Sequence, residues 1–302
     1  MKYASGVSFR AAIEDRLKEQ ARQTGLPLDR LRKAIVFERF LARLVLVGGD
    51  RWLLKGGLAM NCRQGDFWRP SLDIDVAHVG TLDQATADFE AAAKAILPED
   101  DYFSFEVRYA GEMDPAEGAH CKFHLDAFLG GRLFEEASID LAFEPEIIGH
   151  GSLLPLPSLL AYSGLPTVTL EVVPAERHLA DKVDAYLRGK INERALSSRE
   201  KDLADLVVIA GWENLVAGPV LEEFDLVLNV TEGHQVPDLL PEPPLAWGRN
   251  YTKLARELKL DWQEVETAYL RAANFLDPLL AGALTEEARW NPSLQEWEEP
   301  GL

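Results

Sequence analysis

The chain has 302 residues, 47% of them hydrophobic and 27% charged, with a formal net charge of −19. That is enough apolar material for one large core or two ordinary ones, and no run approaches the roughly 18 consecutive apolar residues of a membrane span. The start of the chain lacks a basic head, apolar stretch and cleavage site, so the sequence reads as a soluble cytoplasmic protein that does not enter a membrane.

Charge is unevenly spread. Residues 1–70 carry 14 Lys and Arg against 7 Asp and Glu, a surplus of seven, which leaves −26 for the remainder. Arg30, Arg32, Lys33, Arg39 and Arg43 lie in this basic arm, which reads either as a solvated helix surface or as a path for nucleic acid. Cys62 and Cys121 have no CxxC spacing and read as free thiols rather than zinc ligands.

From Phe9 to about Leu46 the apolar spacing predicts two helices, separated by the Gly25–Pro27 break. Gly48–Asp50 is a turn, Arg51–Lys55 a short strand ending at Gly56 and Gly57, and 58–64 opens a helix. Over Ser71–Val79 strict alternation places Leu72, Ile74 and Val76 on one face and Ser71, Asp73 and Asp75 on the other. An alanine-rich helix spans Thr81–Ile96 and ends at Pro98–Asp101. Strands follow at Ser104–Tyr109, Cys121–Phe128 and Ala137–Phe143, the last two joined at Gly130–Gly131. Residues 144–170 read as a covering loop before a short strand, Thr167–Val173. Helices dominate from Pro174, which places a domain boundary there: residues 1–173, then 174–302. Within the second part Leu179, Val183 and Tyr186 form a buried stripe with Lys182 at its border, and Ser197 and Glu200 form a capping box. A proline-rich link at Pro237–Pro244 precedes helices at Tyr251–Leu258 and Trp262–Ala281. The acidic end, with Glu296, Glu298 and Glu299, reads as disordered.

Two carboxylates flanking one apolar residue on a strand share a face about 7 Å apart and repel. A hard divalent cation such as magnesium, bridging carboxylates to substrate phosphates, is one compensation; exposure on a solvated sheet face is the other. Asp140, between Ile139 and Leu141, repeats the pattern as a third carboxylate. Lys55–Gly56–Gly57 sits between a strand and a helix, where glycines let a phosphate approach backbone amides, or simply make a tight turn. His120, Lys122 and His124 alternate onto one strand face as sheet-surface groups. Trp247, Trp262 and Trp290 read as helix packing, while Trp68 is either a base-stacking platform or a loop anchor.

The motifs LKGGLAM, RPSLDIDV, SIDLAF, ERHLADK and REKDLADL, in that order, resemble the AbiEii/AbiGii toxin family of nucleotidyltransferases, which includes the mycobacterial MenT toxins. The resemblance runs from about Glu14 to Ala210 and more loosely to about Phe275. It implies an α+β protein: a polymerase β-like mixed sheet with flanking helices, followed by a mainly helical C-terminal domain that completes the active site. Gly56 and Gly57 match the glycine motif, whose second position is often serine or alanine in relatives. Arg69, Ser71, Asp73 and Asp75 match R-x-[ST]-x-D-[IL]-D, whose aspartates bind the metal, and Asp140 matches the third acidic position. Glu176 and Lys182 match E-x-x-x-A-x-K, whose lysine contacts nucleotide phosphates; Lys201, Asp202 and Asp205 match K-D-x-x-D. Apart from the resemblance, Lys182 reads as a surface lysine and Asp202 as a first-turn aspartate favoured by the helix dipole.

The implied reaction is two-metal nucleotidyl transfer from a nucleoside triphosphate, with Mg2+, or Mn2+ in its place, on Asp73, Asp75 and Asp140. The triphosphate lies along Gly56 and Gly57, with Lys182 on its phosphates, Lys55 or Arg69 assisting, Ser71 in the nucleotide-binding motif, and Asp202 orienting Lys182 or touching the nucleotide. The resemblance points to RNA as acceptor, at the tRNA 3′ end and reached along the basic helices, and to a cognate antitoxin. Modification of a protein hydroxyl, or a non-catalytic nucleotide-binding module of a toxin–antitoxin pair, are the alternatives.

Overall fold

The computed structural model describes residues 3–66, 69, 71–113, 120–147, 149–191, 199–212, 215–228 and 236–300. The chain divides into two compact units, Met1–Pro174 and Ala175–Leu302. Among the described residues no helix is long and apolar enough to cross a membrane.

Two helices open the first unit, α1 (Gly6–Thr24) and α2 (Leu28–Gly48). Ser5 and Ser8 cap α1 reciprocally, and Gly25, at φ 79°, ends it in the left-handed conformation that glycine adopts without a Cβ penalty. Then come β1 (Trp52–Leu54), α3 (Gly56–Gln64), β2 (Ile74–His78), α4 (Leu82–Lys94), β3 (Phe103–Glu112), β4 (Cys121–Leu129), β5 (Arg132–Phe143), β6 (Ser152–Pro155) and β7 (Thr169–Val172). Thr81 and Gln84 form the capping box of α4. The strands make one mixed sheet in the order β3-β4-β5-β2-β1-β7-β6. β2 runs parallel to β5 and β1 parallel to β7, and the other neighbours are antiparallel.

Alternation decides which face is packed. Ile74, Val76, Phe123, Leu125, Ile139 and Leu141 are buried on the face where Phe89 of α4 stacks edge-on against Phe123 at 4.9 Å and Phe40 of α2 meets Phe105 at 5.5 Å. The intervening residues, Asp75, Lys122 and Asp140 among them, point to the other face. Both cysteines are free and buried within this unit, and burial pushes the Cys62 thiol up to about 12, so it is not a thiolate at neutral pH.

The basic arm is not the exposed surface that its charge count suggests. Arg39 and Arg43 are buried, and both pair with the buried Asp101, at 2.7 and 2.6 Å. Arg32 pairs with Glu14 at 2.7 Å, and the Lys33 ammonium donates to the backbone carbonyl of Glu136 at 2.8 Å and to that of Leu72 at 3.4 Å. A guanidinium with several donors satisfied inside a core cannot also serve phosphates outside it, so Arg39 and Arg43 are removed from any nucleic-acid path. Other expectations change as well. Leu72 is exposed rather than packed, because β2 begins only at Ile74. Residues 144–170 are more than a covering loop, since β6 pairs with β7 there.

The second unit holds α5 (Ala175–Ile191), α6 (Glu200–Ile209), α7 (Ala217–Leu228), α8 (Gly248–Glu257), α9 (Val265–Leu280) and a hairpin of β8 (Arg289–Asn291) with β9 (Glu296–Glu298). Leu179, Val183 and Tyr186 are fully buried, as their spacing predicts. Ser197 lies outside the described residues; α6 begins with Arg199 at its N-cap and no side-chain capping bond. The acidic end is ordered rather than disordered. Trp290 faces Trp297 across the hairpin, the Trp297 ring stacks on Phe275 at 5.7 Å, and the two indole N–H groups donate to the carbonyls of Ala210 and Phe275. Trp290, carried on a strand, thus packs against helices α6 and α9 as expected; two aromatic anchors outweigh the charge of the glutamates between them.

The Arg39–Asp101–Arg43 network makes two testable claims about stability. Asp101→Ala removes the carboxylate that two buried guanidinium groups share and is expected to cost about 3–5 kcal/mol, read from urea unfolding midpoints. Glu38, beside this network, accepts a 2.8 Å bond from Ser158, and burial pushes its carboxyl from 4.5 up to about 7. The folded chain thus holds this proton over a pH window in which the unfolded chain has lost it, so stability falls as pH rises from about 4.5 to about 7. Glu38→Gln removes the decline in that window; an unchanged pH slope in the variant would show that Glu38 is not its source.

Candidate functional site

Within the first unit the predicted residues converge around the start of α3. Asp75 and Asp140 are direct partners across the parallel β2–β5 pair, and Lys122 is the partner of Asp140 across β4–β5. Register partners on neighbouring strands share a face, so Lys122, Asp140 and Asp75 form a row across the sheet. The Lys122 ammonium pairs with Asp140 at 3.0 Å. Lys55 donates its backbone N–H to the carbonyl of Asp75 at 2.9 Å, which extends the row towards α3, and its side chain pairs with Glu144.

Gly56 sits at φ 60°, and a Cβ there would lie 1.9 Å from the Asp75 Oδ2 atom. Only glycine lets the helix start close over this carboxylate. Gly57 is less constrained: its φ is ordinary, and a Cβ would meet Ser71 Oγ at 3.1 Å and Arg69 Nη1 at 3.8 Å. Lys55, at the N-cap of α3, makes no side-chain capping bond, so the first-turn amides offer the positive helix end at which phosphates bind.

Asp73 lies just before β2, outside the ladder, and is placed by its neighbours instead. Ser71 Oγ donates to the Asp73 carbonyl at 3.0 Å. The buried Asn61 of α3 donates to the Arg69 carbonyl at 2.8 Å and accepts from its N–H at 3.2 Å. A small, open cleft beside this segment is lined by Arg30, Asn61, Arg69 and Ser71 with the apolar Phe37 and Leu58. Trp68 lies outside the described residues. Among the described residues no three His, Cys, Asp or Glu side chains form a ready metal-binding group. The structure thus brings Asp75 and Asp140 into register and Asp73 to the mouth of the same strand without gathering all three into one cage. The oxygen donors and the glycine-lined approach suit a hard cation that keeps much of its own water.

In the second unit, Lys182 of α5 pairs with Asp205 at 2.9 Å and Asp202 at 3.4 Å, and Arg199 pairs with Asp202 at 3.4 Å. Asp202 and Asp205, three apart on α6, are both buried and present one face to α5. Lys182 is therefore held between two carboxylates on a neighbouring helix rather than reaching freely into solvent. Two residues gain a role that the sequence reading did not give them, Asp205 of the K-D-x-x-D motif and Lys122 outside every motif. Asp205 is the shorter contact of Lys182, a pairing signalled by its i, i+3 spacing from Asp202. Lys122 is the cross-strand partner of Asp140, which no local pattern signals, because pairing between strands is not written in either one.

Substitution separates the two glycines. Gly56→Ala must displace Asp75 and adopt left-handed backbone, and is expected to lose about 1–3 kcal/mol of stability. Gly57→Ala is expected to stay within about 1 kcal/mol of the parent in thermal unfolding; equal losses would show that the close approach to Asp75 does not matter.

A model of the nucleotidyl transferase AbiEii toxin family, type IV toxin–antitoxin system, matches residues 39–285. Among solved structures, MenT4, a nucleotidyltransferase toxin from Mycobacterium tuberculosis, is similar over 90% of this chain and 98% of its own, with a TM-score of 0.51 and 20% identity. At that identity the likeness concerns the fold. No curated protein matches the chain.

Proposed function

Because the chain belongs to the AbiEii family of nucleotidyltransferase toxins, we propose that it transfers a nucleotide from a nucleoside triphosphate to an RNA 3′ end, that of tRNA in particular, and so blocks translation in the cytoplasm until a cognate antitoxin restrains it. The observation that carries the catalytic reading is Asp75 in register with Asp140 beneath the Gly56 approach. The triphosphate lies against the first turn of α3, with Ser71 and Arg69 beside Gly57 and Lys55 assisting, and the E-x-x-x-A-x-K motif supports Lys182 as a contact of nucleotide phosphates. Asp202 and Asp205 set the direction of the Lys182 ammonium. Bound at Asp73 and Asp75, magnesium, or manganese in its place, supplies neutralisation of phosphate charge. The acceptor hydroxyl attacks the α-phosphorus, the bond to the β-phosphate oxygen breaks, and pyrophosphate leaves; the hydroxyl proton passes to Asp140. The two-cation scheme requires positive charge beside Asp140 as well as at the Asp73–Asp75 pair.

With Arg39 and Arg43 engaged inside the core, the RNA reading rests on Arg30 and Arg69 beside Ser71, guanidinium groups of the kind that bind backbone phosphates. Incubation with total RNA, magnesium and each labelled triphosphate tests it. Label in RNA is expected; label in polypeptide alone would assign the acceptor to protein, and triphosphate binding without pyrophosphate release would leave a binding module. Asp75→Asn is expected to lower kcat by about a thousandfold with little change in unfolding temperature, and Lys182→Ala to raise the triphosphate KM by about tenfold or more. Full turnover in Asp75→Asn would remove the reaction centre.

A further inference from the structure

We infer that Lys122 takes the place of a second cation at Asp140, so that this chain binds one divalent ion, on Asp73 and Asp75, and supplies the other positive charge itself. The inference rests on the metal reading proposed above and concerns a residue that lies outside the family motifs.

Three observations carry it. First, Asp140 has Asp75 as its register partner on one side and Lys122 on the other. Two like charges directly opposite on neighbouring strands are destabilising, and one ammonium beside the pair halves the net charge. Second, that ammonium is in contact with the carboxylate, 3.0 Å from Asp140 Oδ1, with the Asp140 side chain only 12% exposed. A lysine reaching a neighbouring strand is a short span for a four-carbon stem, so the contact holds without help from another element. Third, among the described residues the carboxylates do not gather into a set of three that could hold a metal. His120, just before β4, already uses its Nδ1 lone pair to accept the Phe143 N–H at 3.0 Å, and that atom is not available as a ligand. Asp73 and Asp75 are the carboxylates proposed for the metal, and Asp140 beside them is salt-bridged to Lys122. A plain cross-strand ion pair on a polar sheet face has the same local geometry; what sets this one apart is that its row continues into Asp75 and the α3 start.

Titration of the full-length protein with Mn2+ alone, followed by electron paramagnetic resonance, separates the readings. The wild type is expected to bind one ion, Asp75→Asn to weaken it by about tenfold or more, and Asp140→Asn to stay within about threefold of the wild type. Lys122→Met, which removes this ammonium from beside Asp140, is expected to bind a second ion. Asp140→Asn weakening Mn2+ as deeply as Asp75→Asn, or two ions in the wild type, would overturn the inference and make Asp140 a ligand. Should Lys122→Met fail to fold, the comparison of Asp140→Asn with Asp75→Asn decides alone. Mn2+ binding that Asp75→Asn leaves intact would instead sink the metal reading itself, a result distinct from failure at Lys122.

Discussion

The parallel pairing of β2 with β5 sets two carboxylates opposite one another near the middle of a sheet, and much of the first unit follows from making that arrangement tolerable. Strands lie roughly 5 Å apart, so Asp75 and Asp140 cannot avoid each other's field. The opposite faces of the same two strands bury Ile74, Val76, Ile139 and Leu141, and each such burial is worth about 1.5–3 kcal/mol, which holds the strands in register against the repulsion. A register slip of one residue would send the carboxylates into the core and the aliphatic side chains to the surface. The hydrophobic face thus aims the charged one.

Around that row, positive charge arrives from different sources on its two sides. On the β4 side it is a side chain, Lys122. On the β1 side it is backbone, with Lys55 donating its N–H to the Asp75 carbonyl and the α3 amides beginning above a glycine that has no room for a methyl group. A chain of net charge −19 therefore sets an ammonium and the amides of a helix start on either side of its carboxylate row, while Arg39 and Arg43 are withdrawn to neutralise Asp101. Net charge describes solubility and long-range steering; it does not say which guanidinium groups face a ligand.

Much of this was legible in the chain. Alternation over 72–76 and 137–143 located Asp75 and Asp140 on polar faces, the helix stripe located Lys182 beside a packed surface, and the ordered motifs identified the family. What escaped has a common physical origin. The burial of Arg39 and Arg43 depends on Asp101, some 60 residues away, and the role of Lys122 depends on which strand lies beside β4. The β8–β9 hairpin depends on Phe275 being ready to receive Trp297. Local spacing records the period of an element, and none of these partners lies within one period. Leu72 is the converse case: its alternation continued the strand pattern, but the ladder starts two residues later, so its side chain found no core.

That late start has a consequence for Asp73. A residue inside a ladder inherits its position from two neighbouring strands, whereas Asp73 stands outside and needs other tethers. Ser71 bonds the Asp73 carbonyl, Asn61 grips both backbone groups of Arg69, and Lys33 joins the carbonyls of Leu72 and Glu136. The last of these ties the segment leading into β2 to the strand that carries Asp140, so one ammonium couples the approaches to both carboxylates. Its donors serve backbone that must be held still, and pre-organised placement of charged groups is what a phosphoryl-type reaction draws on. Lys33, read from charge alone as part of a nucleic-acid path, is better understood as a pin that keeps Asp73 within reach of the Asp75 row while leaving that segment outside the rigid ladder.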